Sequence, residues 1–286
     1  MAMHAELVAA FEALPGVTLR LAEPVAHHSA LRIGGEVEAW VLALDDDGVK
    51  AVVAALRAAG VKLRPHQPLG DHYAREEGLS GAMLRLGPAF GELQLEGDTL
   101  VVGAAVPMAQ LGVVAQREGL IDWAPARAWP GTLGGWLQCA DPAALGGLVR
   151  SVRALVGRSI KDRPPEAAAS FGAKAVILGA VLEARHGRAL PCAPLAPGSL
   201  FAVDDDMRRA MRHSRLPGLR LRHIRLADEE AGVVVNLGAG SSRDLDLVIR
   251  LVKERLLRDH GLEVEPRLQP LGLPPKNTPA HRVDPP

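Results

Sequence analysis

Two glycine-rich segments have the residue types and spacing that point most directly to chemistry. The segment Ala128–Trp136 reads AWPGTLGGW, and a second glycine pair, Gly34-Gly35, lies within LRIGGEVEAW. Glycine has no Cβ and reaches positive φ at little cost, so its backbone N–H groups are able to converge on phosphate oxygens. Glycine-rich turns are also common as plain loops. The two segments therefore leave two interpretations open, a ligand cradle and an ordinary turn.

The order of five segments along the chain is more informative than any one of them. They read LRIGGEVEAWV, AAGVKLRPHQPLGDHYAREEGLSGAMLRLG, VVGAAVPMAQLGVVAQREGLIDWAPARAWPGTLGG, PGSLF and VVVNLGAGSSRDLDLVIRLVKERLLRDHGLEVEPRLQPLG. In this order, from about Ser29 to Gly272, they resemble the MurB family, the UDP-N-acetylenolpyruvoylglucosamine reductases. The resemblance implies an oxidoreductase that uses FAD and NADPH to reduce an enolpyruvyl ether in peptidoglycan precursor synthesis.

The same resemblance implies an α+β fold of MurB type. Its parts would be a split FAD-binding α+β domain of the PCMH type and a smaller C-terminal α/β domain. The domains predicted on this basis are a lead-in with a helix at 1–28, the FAD-binding domain at 29–187, a linker at 188–197, the C-terminal domain at 198–272 and a disordered tail at 273–286.

Hydrophobic periodicity predicts the elements that must position these segments. Helices are predicted at 4–14, Val49–Ala59, Met108–Glu118, Asp206–His213 and Arg243–His260. Strands are predicted at Glu36–Leu44, Lys62–Leu69, Ala82–Leu86, Leu148–Val156, Ala175–Ala184, Leu219–Arg225 and Gly232–Leu237, with a hairpin from Glu92–Leu95 to Thr99–Ala104. The last helix has the clearest boundaries, because Ser241-Ser242 precede it and Gly261 follows it.

Composition and charge exclude several classes of partner. Lysine plus arginine number 33 and aspartate plus glutamate number 33, so no net field attracts nucleic acid or an anionic membrane. The first residues lack the regions of a signal peptide, and no apolar run reaches membrane-spanning length. We therefore expect a cytoplasmic monomer. Cys139 and Cys192 share no metal or redox spacing, which predicts two reduced thiols and no metal site.

The resemblance also implies roles for particular residues. Ser199 in PGSLF takes the position of the family's serine, which gives a proton to the substrate carbanion after hydride arrives from the flavin. An ordinary serine has a pKa far above neutral, so this role needs neighbours that stabilise the alkoxide or relay the proton. The substrate implied is the enolpyruvyl ether of UDP-N-acetylglucosamine. The cofactor-binding residues implied are Arg32, Gly34, Gly35, Gly70, Pro130, Gly131, Thr132, Gly134, Gly135 and Ile177.

Two positions that carry charge in the family's chemistry differ in this chain. Lys174 is the nearest cation where the family has an arginine, and lysine lacks the bidentate guanidinium fork. Arg267 stands in Glu265-Pro266-Arg267, where the family has a glutamate, and an arginine does not donate a proton near neutral pH. We expect Arg267 to lie near Ser199 and to pair with Asp204, Asp205 or Asp206. The first of these ends Ala202-Val203-Asp204, which stands where the family has a Lys-Asn-Pro run after its serine.

The flavin loop of the family, Gly-x-Gly-Ser-Asn, aligns with 67–71 of this chain, which reads QPLGD. Pro68 removes an N–H donor, Leu69 blocks close approach, and Asp71 adds a negative charge facing phosphate. These changes predict weak or lost binding of FAD at this edge. The sequence thus supports two hypotheses, a divergent FAD- and NADPH-dependent reductase and a non-catalytic MurB-like protein that binds a nucleotide sugar or a partner.

Overall fold

A four-stranded mixed sheet and a five-stranded antiparallel sheet are the two largest sheets of the fold. A C-terminal unit with a three-stranded sheet and two helices follows them. The computed structural model describes residues 5–65, 72–129, 131–139, 147–170, 175–188, 198–201 and 203–271.

The described residues contain six α-helices, fourteen strands and four short 3-10 helices. The α-helices are α1 (Ala5–Glu12), α2 (Asp46–Ala58), α3 (Met108–Arg117), α4 (Leu133–Cys139), α5 (Asp205–His213) and α6 (Ser242–His260). The strands are β1 (Val17–Pro24), β2 (Glu36–Ala43), β3 (Leu63–Pro65), β4 (His72–Ala74), β5 (Leu79–Leu86), β6 (Leu93–Glu96), β7 (Thr99–Gly103), β8 (Val149–Val156), β9 (Ser159–Arg163), β10 (Ala175–Glu183), β11 (Arg220–Leu221), β12 (Ile224–Leu226), β13 (Val234–Asn236) and β14 (Gln269–Leu271). The 3-10 helices are Val25–His28, Pro88–Phe90, Ala124–Ala128 and Pro165–Ser170.

The two large sheets differ in strand direction. The mixed sheet has the order β1-β2-β5-β3, with β1 antiparallel to β2 and β5 parallel to both β2 and β3. The second sheet has the order β6-β7-β10-β8-β9 and is antiparallel throughout. A strand with two neighbours and two covered faces must be apolar along its length. The central strand β10, AVILGAVLE, has this composition.

Strand β10 separates two hydrophobic cores. Ile177 and Ala180 pack on one side with Trp123, in the core that includes α3 and α4. Val176 and Leu178 pack on the other side, in the core of the mixed sheet with α1 and α2. The two sheets are therefore held together through β10.

The C-terminal unit depends on residues from the N-terminal part of the chain. Its three-stranded sheet, β11-β12-β13, packs with α5 and α6 in a core that also contains Leu31, Ile33 and Tyr73. In addition, β14 pairs in parallel with β4. The segment around LRIGG is thus packed against the C-terminal unit.

Local signals in the sequence explain the longest helix. Ser241 and Asp244 form a reciprocal capping box at the start of α6, and Gly261 ends the helix in the left-handed conformation with φ of 66°. Both features satisfy backbone groups that a helix end leaves unpaired. The boundaries predicted for this helix are confirmed, as is the hairpin of β6 and β7.

Some predicted elements were wrong or incomplete. The single strand predicted at Leu219–Arg225 is a hairpin of β11 and β12, because Arg222 adopts a positive φ of 53° between them. The strand predicted at Lys62–Leu69 is described only at β3. Strands β1 and β9 and helix α4 are present in the structure but were not predicted from the sequence. The predicted tail at 273–286 and most of the predicted linker lie outside the described residues.

One glycine inside a helix gives a test of this packing. A Cβ at Gly112 in α3 would lie 2.1 Å from the backbone nitrogen of Arg127. Helix propensity alone would make Gly112→Ala stabilising by about 1 kcal/mol. We expect the backbone contact to reverse that sign and to lower the free energy of unfolding by about 1–3 kcal/mol, as overpacking does. Urea denaturation measures the change.

The matched control is Gln110→Ala in the same helix, where the side chain is exposed. We expect it to leave the free energy of unfolding within about 0.5 kcal/mol of the parent value. A gain in stability for Gly112→Ala would contradict the close approach of α3 to the 3-10 helix Ala124–Ala128.

Candidate active site

A cavity of about 470 Å³ lies between the mixed sheet and the antiparallel sheet. One wall is the turn from His27 to Ala30, which follows β1, and the end of β5 supplies Arg85 and Leu86. The opposite wall is formed by Ala105 and Thr132. The cavity therefore brings one predicted site residue, Thr132, together with the turn that precedes Arg32.

Two residues of the cavity lining, Ser29 and Thr132, carry buried hydroxyl groups. Ser29 is 7% exposed, and its Oγ has no hydrogen-bond partner among the described residues. Thr132 is 5% exposed, and its Oγ1 accepts from the N–H of Gly135 at 3.5 Å. Buried hydroxyl groups in folded proteins are normally hydrogen-bonded. The Ser29 hydroxyl thus has donor and acceptor capacity that the described residues do not use.

A pair of aromatic rings fixes one side of the same wall. The ring of His28 stacks on Trp40 with 3.7 Å between centroids, and its Nε2 lies 2.9 Å from Oε1 of Glu23. The hydrogen bond from His28 holds the pKa of the Glu23 carboxyl below its usual range. Glu23 is therefore ionised at neutral pH, and its partner is His28. No carboxylate is among the described residues that line the cavity.

The glycines predicted to bind a cofactor have reasons within the chain itself. A Cβ at Gly35 would lie 2.3 Å from the carbonyl oxygen of Glu76. A Cβ at Gly34 would lie 2.8 Å from the Cβ of Ala74, and Gly34 has a φ of 132°. A Cβ at Gly134 would lie 2.9 Å from the Cβ of Ala104. These glycines permit close packing of the chain on itself, and their role toward a cofactor stays a prediction.

The described part of the PGTLGG segment, 131–135, leads into helix α4, which begins at Leu133. Its N–H groups are already engaged: Leu133 donates to Val106 at 2.9 Å, Gly134 to Ala104 at 2.9 Å, and Gly135 to Oγ1 of Thr132. Gly131 has a φ of 78°, and its carbonyl oxygen accepts from Met108 at 3.0 Å. These donors are therefore used within the fold.

Ser199 lies in a segment that contacts both the C-terminal sheet and the LRIGG segment. It forms an antiparallel bridge with Val233, and the N–H of Leu200 donates to the carbonyl of Gly232 at 2.7 Å. A Cβ at the preceding Gly198 would lie 3.2 Å from Cδ2 of Leu31. The structure therefore places Gly198, the neighbour of Ser199, against Leu31, the residue that precedes Arg32.

Asn236 strengthens this junction. Its Nδ2 donates to the carbonyl of Leu31 at 2.8 Å, while its Oδ1 accepts from the N–H groups of Gly238 at 3.0 Å and Gly240 at 2.8 Å. Asn236 was not predicted as a site residue, although the chain has only two asparagines. Arg32 itself is exposed, with a positive φ of 51°.

The prediction that Arg267 lies near Ser199 is confirmed for the backbone, because the N–H of Arg267 donates to the carbonyl of Leu200 at 2.8 Å. The predicted ion pair between Arg267 and an aspartate at 204–206 was wrong, because none is present among the described residues. Asp204 caps α5 by accepting from Met207 at 2.7 Å, and two further aspartates pair within that helix, Asp205 with Arg208 and Asp206 with Arg209. A cap and two pairs at one helix turn satisfy these carboxylates locally.

A second polar cluster joins β4 to α6. Asp246 accepts from the hydroxyl of Tyr73 and, at 2.7 Å, from Nη1 of Arg75. Burial is the main cause that raises the pKa of the Tyr73 phenol, with the hydrogen bond to Asp246 second, so the phenol remains protonated and donates. The next residue, Glu76, accepts from both the N–H and the hydroxyl of Ser242 at the start of α6. This cluster was not found from the sequence.

The remaining predicted site residues divide into two groups. Ile177 is 8% exposed in β10, next to a register shift, and packs in the core with α3 and α4. Gly70, Pro130 and Lys174 lie outside the described residues, as do Pro68, Leu69 and Asp71.

The fold and its cleft define an α+β protein of the MurB type. The crystal structure of the MurB of Thermus caldophilus matches with a TM-score of 0.66 and 18% identity, over 90% of this chain and 99% of that one. Among curated proteins, the UDP-N-acetylenolpyruvoylglucosamine reductase of Anaeromyxobacter sp. (strain Fw109-5) is 28% identical over 277 residues, 87% of each chain. That of Rubrobacter xylanophilus is 27% identical and covers 88% of this chain and 95% of its own. No family model matches. The chain is a divergent relative of the UDP-N-acetylenolpyruvoylglucosamine reductases, as the order of its segments predicted.

A helix that crosses a bilayer needs about 20 predominantly apolar residues. Within the described ranges, none is long and apolar enough to cross a membrane.

Proposed function

We propose that the chain is an FAD- and NADPH-dependent reductase that converts UDP-N-acetylenolpyruvoylglucosamine to UDP-N-acetylmuramate in peptidoglycan precursor synthesis. The observation that carries this proposal is the junction of the Ser199 segment with the LRIGG segment, where Gly198 lies against Leu31 and Asn236 donates to the carbonyl of Leu31. The similarity to reductases over most of the chain supports it. The proposal places the reaction in the cytoplasm and treats the protein as a monomer.

The cavity between the sheets fits a cofactor that carries phosphate. Its lining includes a cation, Arg85, and a buried hydroxyl without a partner among the described residues, on Ser29. The volume of about 470 Å³ falls within the range of roughly 300–1,000 Å³ that is usual for small-molecule sites. Bound FAD would supply the hydride chemistry of the reaction. Arg85 and Thr132, both in the lining, would hold and orient it.

Ser199 is the proton donor in this proposal. Its segment is fixed by hydrogen bonds on both sides, from Leu200 to Gly232 and from Val234 to Gly198. These hydrogen bonds fix the backbone of Ser199, and a proton donor must be held in a fixed position to act in the transition state. The backbone of the adjacent segment supports the same position, because the N–H of Arg267 donates to the carbonyl of Leu200 at 2.8 Å.

Arg267 supports a second candidate function. Arg267 stands where the related reductases have a glutamate, and it is not able to give and recover a proton near neutral pH. This replacement favours a non-catalytic MurB-like protein that binds a nucleotide sugar or a partner. Such a protein would keep the fold and the cleft without the reaction.

The content of flavin in the purified protein separates the two functions. We expect flavin below one equivalent after purification, because the 67–71 loop lacks the usual glycine donors, and we expect added FAD to raise the rate of NADPH oxidation. Visible absorbance measures the flavin, and NADPH oxidation is followed with and without the enolpyruvyl substrate.

A full equivalent of flavin after purification would contradict the weakened loop and strengthen the reductase proposal. Absence of substrate-dependent NADPH oxidation at saturating FAD would instead leave the non-catalytic function.

A further inference from the structure

We propose that the exposed face of α6 pairs with the same face of a second copy of this chain, antiparallel and about a two-fold axis near Val252. This face is formed by Leu247, Arg250, Glu254 and Leu257. None of the four lines the cavity between the two sheets, so the pairing is independent of the reaction proposed above.

The exposed face of α6 lies opposite the face that packs in the core of the C-terminal unit. The buried face has four apolar residues that are 0% exposed, Leu245, Val248, Val252 and Leu256. Because an α-helix has about 3.6 residues per turn, the four residues of the exposed face point the other way. Leu247 is 39% exposed and Leu257 is 50% exposed, and Arg250 and Glu254 are exposed as well. The core therefore leaves this face of α6 open to a partner.

The spacing on the exposed face of α6 is that of a packed helix pair. Its residues follow one another at intervals of three, four and three positions, the heptad spacing by which two helices meet along a seam. Antiparallel pairing about Val252 places Leu247 against Leu257 of the second copy, at both ends of the contact. Two apolar contacts thus flank a charged centre.

The charges at that centre are complementary only when the two helices are antiparallel. In that arrangement Arg250 meets Glu254 of the second copy, and Glu254 meets Arg250 of the second copy. A parallel pair would oppose like charges at both positions, which is unfavourable, and polar residues at heptad core positions set register and orientation in this way. Neither Arg250 nor Glu254 has a hydrogen bond or ion pair with another described residue. Both charges are therefore available to a second copy.

The size of the contact predicts a weak dimer. Residues 247–257 span about 15 Å of helix, so the interface is smaller than the standard size of stable complexes. We expect a dissociation constant of about 10–100 μM. The chain is then monomeric when dilute, as the proposed function treats it, and dimeric at high concentration.

Sedimentation velocity of the full chain, from about 1 to 500 μM, spans the expected dissociation constant and tests the pairing. Arg250→Glu and Glu254→Arg should each raise the dissociation constant by about 10-fold or more, because each variant alone opposes like charges at both central contacts. An equimolar mixture of the two variants should form a dimer again. One chain then presents two carboxylates, and the other presents two guanidinium groups.

The matched control is Arg117→Glu, the same charge reversal at an exposed arginine of α3. It should associate as the parent does. Leu257→Ala tests the apolar contacts without a change of charge, and we expect it to raise the dissociation constant by about 10-fold.

Three results would each overturn the pairing of α6. They are a parent chain that stays monomeric over the whole range, association unchanged in Arg250→Glu and Glu254→Arg, and a mixture of those two variants that forms no dimer. Recovery in the mixture would also show that both variants fold, since an unfolded chain has no α6 face to present.

Discussion

Replacement of Ser199 by alanine should lower kcat for reduction of the enolpyruvyl substrate by about 10²–10⁴-fold, the range that a positioned proton donor contributes. The reason is that Ser199 is the proton donor of the proposed reaction. Arg267, whose backbone lies next to Leu200, does not exchange protons at neutral pH. In the proposed reaction, bound FAD would take the hydride from NADPH without needing the proton of Ser199. We therefore expect the rate of NADPH oxidation, measured by stopped flow without substrate, to remain at the parent value.

Ser159→Ala is the control for this variant, since Ser159 is exposed at the start of β9. It should keep the kcat of the parent. An equal kcat for Ser199→Ala and the parent would remove Ser199 from the reaction, and a slower flavin reduction would show that the variant acts through the cofactor.

The fold was predictable where local chemistry and periodicity agree. The helix α6 has a capping box, an apolar stripe and a terminal glycine, and the hairpin of β6 and β7 has Gly97-Asp98 at its turn. The strand β1 was missed because it lies at a sheet edge and buries no side chain fully. The helix α4 was missed because Gly134 and Gly135 lower helix propensity, and tertiary packing against Ala104 overrides it.

The candidate site was predictable only in part. Ser199 and Thr132 were predicted because motifs surround them. The structure places Gly198, the neighbour of Ser199, against Leu31, and it places Thr132 in the cavity lining. The burial of the Ser29 hydroxyl without a partner among the described residues was not predictable, because it depends on residues distant in the chain. The same holds for Asp246, whose partner Tyr73 is 173 positions away in sequence. No spacing rule relates residues that meet only through the tertiary fold.

The polar cluster at Asp246 gives the largest expected effect on stability. Asp246→Ala leaves Arg75, whose side chain is 10% exposed, without its carboxylate partner. An uncompensated buried charge typically destabilises a protein by about 3–5 kcal/mol. Because the Asp246 side chain is itself 26% exposed, we expect the lower part of this range, a loss of about 3 kcal/mol in the free energy of unfolding.

Urea denaturation of Asp246→Ala and of a control, Asp205→Ala, tests this expectation. The Asp205 side chain is 89% exposed and pairs with Arg208 on the surface of α5, so its loss should cost about 1 kcal/mol or less. Equal losses of stability in the two variants would mean that the Asp246 ion pair contributes no more than a surface pair.

A charge-free replacement separates the causes further. Arg75→Met combined with Asp246→Leu should recover most of the stability lost in Asp246→Ala, since replacing a buried ion pair by apolar residues is often neutral. Failure of that double variant to recover would assign the stability to the hydrogen bond from Tyr73 instead, because Asp246 is the acceptor for both side chains.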